Sequence, residues 1–216
     1  EHPHVGTSYH NLAELYREQG KYAEAEPLYQ RAIRIKEHQL GPEHPHMAYP
    51  LNSLAELYYQ QGKYAEAEPL FQRTLHIFEQ QVGPDHSLVA EALNGLANLY
   101  CAQGQYEQAE SLFQRALRIR EQQLGPDHSY TAETMHDLAR LWEVQSNHEE
   151  AINWYTRALA IREQALGAQH LKTVQSRTRL IDLLHAMGLH QDAAQLEAAQ
   201  SEQRTQEEEQ KTHLVE

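Results

Sequence analysis

The sequence is poor in cysteine, glycine and proline, and it has no long apolar run. Its one cysteine, Cys101, cannot form a disulfide within the chain, so the expected compartment is a reducing, cytoplasmic one. Ten glycines and eight prolines in 216 residues are few for an all-β or a disordered protein. No apolar segment approaches the roughly 20 residues of a membrane-spanning helix, so we expect no such helix.

Basic residues are also scarce, with 18 lysines and arginines against 31 aspartates and glutamates. Because phosphate groups are bound by clustered Lys and Arg, a net charge of −13 argues against nucleic acid and anionic membrane surfaces as partners. Glu, Gln, Ala and Leu dominate the sequence instead, and these residues favour helices.

Two phrases recur at intervals of 42 residues. One is Leu/Val-Gly-Pro-Glu/Asp-His and the other is Leu-Ala-x-Leu-Tyr/Trp. The first lies at 40–44, 82–86 and 124–128, and the second at 12–16, 54–58, 96–100 and 138–142. Such a period indicates stacked supersecondary units. The predicted repeats are 1–42, 43–84, 85–126, 127–168 and a degenerate fifth from 169.

Each repeat has the pattern of two helices joined by a short turn. In repeat one we expect the first helix from about Pro3 to Gln19 and the second from about Tyr22 to Leu40, with Gly20 left-handed between them. Apolar residues recur at helical spacing and predict one buried stripe on each helix. These residues are Tyr9, Leu12, Ala13 and Tyr16 on the first helix, and Ala25, Leu28, Tyr29, Ala32 and Ile33 on the second.

Two local features depart from this pattern. Pro27 and Pro69 fall inside the second helices, where proline removes a hydrogen bond, so we expect a kink or a later helix start. In repeat four Ser146-Asn147 replaces the turn glycine, and we expect Asn147 to supply the left-handed residue. Trp142 and Trp154 of the same repeat occupy core positions.

The residues Leu12, Ala13, Tyr16, Ala25 and Ala32 resemble the tetratricopeptide repeat. The 42-residue period and the phrase Ala-Glu-Pro-Leu-Tyr-Gln-Arg-Ala are similar to the kinesin-light-chain variety. The resemblance implies an all-α fold, an α-solenoid (right-handed superhelix) of stacked antiparallel helix pairs with about ten helices. We expect one array over 1–197, with 169–197 as a degenerate polar cap, and a polar helix extension or tail over 198–216.

The resemblance also implies a function. Repeats of this kind bind extended peptides in a concave groove lined by the first helices, and similar arrays occur in bacterial signalling proteins. We therefore expect a protein–protein interaction scaffold without enzymatic activity, cut from a longer signalling protein. The alternative is a structural module that self-associates weakly, end to end.

The residues that would line the groove follow from the core stripe, because they lie about one face round each first helix. They are Thr7, His10, Glu14 and Arg17; Tyr49, Asn52, Glu56 and Tyr59; Glu91, Asn94, Asn98 and Cys101; Glu133, His136, Arg140 and Glu143; and Gln175, Thr178, Asp182 and His185. The candidate peptide-binding residues among them are His10, Tyr49, Asn52, Glu56, Tyr59, Asn94, Asn98, His136 and Arg140.

Asn52, Asn94 and Asn98 are the sharpest candidates. An amide both donates and accepts, so it suits the backbone of an extended peptide, and asparagine in mid-helix has a cost that a function would explain. The alternative is that these asparagines brace neighbouring helices. Arg140 could pair with an acidic side chain or a carboxylate of a ligand. The stripe as a whole has charges of both signs, so it predicts neither an acidic nor a basic ligand.

Other chemistry has weaker support in the sequence. The histidines of the inter-repeat loops are interpreted as residues that cap the next helix or contact the previous one, rather than as metal ligands. No metal or cofactor is expected. Cys101 is interpreted as a packed or groove-lining residue, because no His or acid stands at a triad-like spacing from it. No glycine-rich phosphate loop occurs in the sequence.

Overall fold

This computed structural model describes the backbone of residues 3–213 and the side chains of residues 5–201. Ten α-helices, a 3₁₀ turn at Pro45–Met47 and no strand lie within that part of the chain, which confirms the all-α prediction. The helices are α1 (Pro3–Glu18), α2 (Tyr22–Leu40), α3 (Ala48–Gln60), α4 (Tyr64–Val82), α5 (Ser87–Ala102), α6 (Tyr106–Leu124), α7 (Ser129–Val144), α8 (His148–Leu166), α9 (Leu171–Ala186) and α10 (His190–His213).

In every repeat except the fourth, the turn between the two helices is a helix end stabilised by a glycine. Gly20 has a φ of 72°, and the backbone N–H of Lys21 donates to the carbonyl of Tyr16 at 2.8 Å. This bond and a second, from Gly20 to Arg17, satisfy carbonyls that the end of α1 would otherwise leave unpaired. The predicted helix bounds of repeat one are confirmed to within one residue.

The turn of repeat four corrects the sequence prediction. Ser146, not Asn147, takes the left-handed conformation, with a φ of 61°. Asn147 has a φ of −88° and caps α8, its Oδ1 accepting the backbone N–H of Glu150 at 3.5 Å. Ser146 stands at the same repeat position as Gly20, and this is the position at which the turn needs a left-handed residue. Asn147 follows at the N-cap position, where a side-chain oxygen can accept a bond from the helix.

Pro27 and Pro69 lie well inside α2 and α4, which begin at Tyr22 and Tyr64. The expectation of a later helix start is therefore wrong. The first turn of α2 already closes before the proline, because Ala25 donates to the carbonyl of Lys21 at 3.1 Å. Both prolines are exposed, so water can bond to the carbonyl that lacks an N–H partner.

The loop histidines cap the helices that follow them, which is one of the two roles that the sequence suggests. In four successive loops the imidazole Nδ1 accepts the backbone N–H two residues later, at 3.2 Å in each case. The side chain thus satisfies one donor that the start of the helix leaves unpaired. The four residues are His44, His86, His128 and His170.

The chain divides into two compact units, one up to Ile119 and the other from Arg120. In the first unit, the second helix of one repeat packs on the first helix of the next. Ala13, Ala25 and Tyr29 of repeat one form a buried cluster with Leu54 and Leu57 of α3. The two alanines are fully buried, which is the close approach that their small side chains predict.

One predicted core residue is not in the core. Leu12 is 41% exposed and Leu15 is 50% exposed, whereas their equivalents in α3, Leu54 and Leu57, are 4% and 0% exposed. The preceding second helix, α2, covers Leu54 and Leu57. Within the described residues no second helix packs on this face of α1, and the prediction that Leu12 is buried is wrong for that reason.

The second unit has its own core, formed by α7 to α10. Trp142 and Trp154 pack against a cluster that contains Tyr155 and Leu180, in agreement with the core positions predicted for them. On α10, Ala193 is buried but Glu197 is exposed, although Glu197 stands where the buried Tyr29 stands in repeat one. The last repeat therefore buries less of its second helix than the others do.

Candidate functional site

The predicted stripe residues of α1 and α3 contact one another in the first unit. The guanidinium of Arg17 donates to Glu14 at 2.7 Å and lies 3.7 Å from Glu56 on α3. His10 Nε2 is 4.0 Å from Glu14. Burial alone would raise the pKa of Glu14, but hydrogen bonds from Ser53 and Arg17 hold it below its ordinary value. Burial lowers the pKa of His10. These side chains form one polar network across the two helices.

Asn52 links the next pair of first helices. Its Nδ2 lies 3.4 Å from Glu56 on its own helix and 3.4 Å from Glu91 on α5. Asn52 is 7% exposed and its Oδ1 has no hydrogen-bond partner among the described residues. Asn94, its equivalent in α5, is 6% exposed. The Glu91 contact supports the bracing interpretation for the nitrogen of Asn52, and peptide contact by these asparagines stays a prediction.

Other stripe residues of the first unit are more accessible. Tyr49 is 44% exposed, and its ring meets Phe78 edge-on with 5.7 Å between ring centroids. Tyr59 is half-buried and its ring centroid lies 5.9 Å from that of Tyr64. Asn98 and Cys101 on α5 are half-buried too. A ligand on this surface would thus meet the tyrosines and Asn98 more readily than Asn52.

In the second unit the stripe on α7 faces α9. His136 Nδ1 lies 3.0 Å from Ser176 Oγ, and its ring packs edge-on against Tyr155 at 5.1 Å. Burial, with the cations Arg162 and Arg140 nearby, lowers the pKa of His136 to about 3. Arg140 has a 45% exposed side chain and lies 3.6 Å from Asp137.

The stripe prediction missed residues that the following helix contributes. Ser53 bonds to Glu14, and Arg179 of α9 occupies the same repeat position as Ser53 in a later repeat. Within each unit, successive first helices lie side by side, so this position faces the stripe of the preceding helix. The sequence did contain a signal for these residues, because each of them directly follows a predicted stripe residue on its helix.

Within the described residues no cluster of three or more His, Cys, Asp or Glu side chains has an arrangement suited to a metal ion. The described helices also include none with the length and apolar character needed to span a bilayer.

Comparison with known proteins agrees with this architecture. A profile of the Tetratricopeptide repeat family matches residues 4–80, 46–122, 88–163 and 141–198. A crystal structure of a putative kinesin light chain with nearly identical TPR-like repeats, from Podosopora anserina, is 26% identical with a TM-score of 0.75. That match covers 95% of this chain and 98% of the other. No functionally curated protein sequence matches the chain.

Two more distant structures share the fold. BtubC (BKLC) from P. vanneervenii is 24% identical with a TM-score of 0.78, over 94% of this chain and 82% of that one. A Rap protein complexed with Competence and Sporulation Factor is 18% identical with a TM-score of 0.75, over 87% of this chain and 50% of that one. The repeat profile, which matches nearly the whole chain, identifies it as a member of the tetratricopeptide repeat family, whose members are generally scaffolds for protein–protein interaction.

Proposed function

We propose that a first-helix surface of this chain binds an extended segment of another protein, and that the chain is part of a signalling protein. Each unit has its own first-helix surface, which consists of the stripe side chains of α1, α3 and α5 in the first unit. In the second unit it consists of those of α7 and α9. The chain acts as an adaptor and carries out no chemistry of its own.

The observation that carries this proposal is the contact between stripe residues on successive first helices of the first unit. Arg17 reaches Glu56, and Asn52 reaches Glu91. The predicted residues thus lie on shared faces rather than on unrelated patches. Their cross-helix bonds hold the side chains in fixed positions, which lowers the entropy that a ligand must remove on binding. The Rap protein that shares this fold is complexed with Competence and Sporulation Factor, which supports partner binding by this fold.

A peptide selection tests the proposal. A random linear peptide library is displayed on phage and selected on the immobilised chain, and the affinities of recovered peptides are measured by fluorescence polarisation. Truncating a well-placed aromatic at an interface typically costs about 1–3 kcal/mol, so Tyr49→Ala should weaken binding about 5- to 150-fold. Asn98→Ala should weaken it as well.

The matched control lies on the second helices, where Gln72 of α4 is exposed. Gln72→Ala should leave the affinities unchanged. Recovery of no saturable binder, or binders that respond to Gln72→Ala but not to the two stripe substitutions, would count against the proposal.

A second candidate function is self-association through the exposed face of α1. Leu12 and Leu15 carry the observation, because their equivalents in the next repeats are buried under a second helix. A second copy of the chain would cover these leucines. Light scattering should then show an apparent mass that rises with concentration, and Leu12→Gln/Leu15→Gln should abolish the rise. Leu171→Gln, at a leucine that is 69% exposed, is the control. A constant monomer mass for the unaltered chain excludes this candidate.

A further inference from the structure

Two histidines and a glutamate come together at the turn between α9 and α10 in the second unit. His185 lies one residue before the end of α9, and His190 begins α10. The Nδ1 atoms of the two imidazoles are 3.2 Å apart, with 5.5 Å between the ring centroids. On its other side, Nε2 of His185 lies 3.2 Å from Oε1 of Glu197 on α10. Both imidazoles are exposed, so a solute can reach them.

The hydrogen bonds of this cluster fix where its protons lie. An ionised carboxylate can only accept, so Nε2 of His185 carries the proton that Glu197 accepts. A hydrogen bond between two Nδ1 atoms needs one proton and one lone pair, so a single proton lies between His185 and His190. A neutral His190 can carry its proton on Nε2 instead. Two nitrogen lone pairs then face the same point.

The separation of the two Nδ1 atoms is close to that of two ligands on one zinc ion. Imidazole nitrogens lie about 2.0–2.1 Å from a tetrahedral Zn²⁺ and therefore about 3.3–3.4 Å from each other. The two Nδ1 atoms are 3.2 Å apart. A histidine that binds a metal usually donates its other ring N–H to a carboxylate, which orients the ring and raises the basicity of the ligand nitrogen. Glu197 has this relation to His185.

We propose that His185 and His190 bind a zinc ion through their Nδ1 atoms, while Glu197 orients the ring of His185. The zinc ion takes the place of the proton between the rings, and His190 keeps its proton on Nε2. Imidazole suits zinc, whereas a hard cation such as Mg²⁺ prefers oxygen ligands. The described side chains supply no third ligand in a suitable arrangement, so water fills the remaining positions.

A zinc ion at this turn fastens α10 to α9, where the hydrophobic core contributes little. Ala193 of α10 is buried, but Glu197 is exposed at the repeat position of the buried Tyr29. Because the two ligands belong to different helices, the ion binds best while α10 is docked, and its binding stabilises the docked state. Zinc thus controls how firmly the last repeat is closed. This proposal does not depend on peptide binding.

A titration of the ¹⁵N-labelled chain with zinc chloride at neutral pH tests the site. The imidazole nitrogen signals of His185 and His190 should change together and saturate, and magnesium chloride should change neither. Loss of a carboxylate that orients a ligand histidine typically weakens metal binding about 10- to 100-fold, so Glu197→Gln should weaken it by about tenfold. His185→Gln and His190→Gln each remove a ligand and should weaken zinc binding at the remaining histidine further. Circular dichroism checks that these surface variants keep their helices.

Hydrogen exchange tests the effect of zinc on α10. At a zinc concentration about 100 times the Kd, exchange of the α10 amides through undocking should slow by up to about 100-fold. The slowing should disappear in His190→Gln. This local readout distinguishes the proposed site from zinc bound elsewhere, which matters in a chain with 15 histidines.

His76→Gln is the matched control. His76 on α4 has a 60% exposed side chain and lies 3.9 Å from Glu43, so it is also an accessible imidazole beside a carboxylate. This variant should bind zinc at the turn between α9 and α10 like the unaltered chain. Zinc that saturates other histidines but not His185 and His190 is adventitious binding only and overturns the proposal. An equal response to magnesium overturns it too, as does slowed α10 exchange that persists in His190→Gln.

Discussion

Replacing Leu57 with alanine should lower the free energy of unfolding by about 2–5 kcal/mol, whereas the same change at Leu15 should lower it by less than about 1 kcal/mol. The two leucines hold the same repeat position in α3 and α1. Leu57 is 0% exposed in the cluster with Ala13 and Tyr29, and Leu15 is 50% exposed. The difference comes from the cavity that only the Leu57 substitution leaves. Urea unfolding followed by circular dichroism at 222 nm gives both values.

Leu99 extends this comparison, because it is the equivalent leucine of α5 and is also fully buried. Leu99→Ala should behave like Leu57→Ala. Equal and small losses at all three positions would contradict the account of stacking, in which a second helix covers the first helix of the next repeat.

The pH dependence of the free energy of unfolding should show that the pKa of His136 is lowered in the folded chain. Its pKa is about 3 in the folded chain against an ordinary value of 6.5, so below pH 6.5 the unfolded chain binds a proton that the folded chain does not. Stability from this group is therefore fully present above pH 6.5 and is lost as the pH falls. Linkage gives a slope of about 1 kcal/mol per pH unit, or a loss of about 1–2 kcal/mol between pH 6.5 and 5.

His136→Gln removes this contribution, so the free energy of unfolding of the variant should fall less steeply over the same interval. His10, whose pKa burial also lowers, is present in both proteins and cancels in the comparison. Parallel curves for the two proteins would show that His136 takes up its proton in the folded chain near the ordinary pH.

The fold was predictable because the same residue types recur at the same positions of each 42-residue repeat. Ala13 and Ala25 indicate a close approach of two helices, and Gly20 indicates the end of the first helix. The helix bounds follow from such local signals. The exposure of Leu12 was not predictable from the same pattern, since the pattern is identical in α1 and α3. Burial depends on which helix packs outside, and that is a property of the stack and not of the repeat.

The candidate site was predictable as a stripe but not as a set of contacts. The stripe follows from helical geometry, which places His136 and Arg140 on one face of α7. Their surroundings come from α8 and α9. Arg162 of α8 donates to Ser176 of α9, and Ser176 lies within hydrogen-bond distance of His136. The sequence pattern of α7 contains nothing about these partners. Likewise, the contact of Asn52 with Glu91 depends on the side-by-side arrangement of α3 and α5.

The central claim is that a peptide binds on the first helices, and the native cysteine can test it. Cys101 is half-buried on the stripe of α5, and it is the sole thiol in the chain. A bound peptide should slow its alkylation by iodoacetamide. A control variant, Cys101→Ser/Ser111→Cys, moves the thiol to an exposed position on the second helix α6, where alkylation should continue at the same rate.

The measurement is the alkylation rate with and without a saturating amount of a selected peptide. Protection of Cys101 at least several-fold greater than that of the control thiol is the predicted result. Equal rates at Cys101 with and without peptide, or protection of the α6 thiol alone, would contradict binding on the first-helix surface.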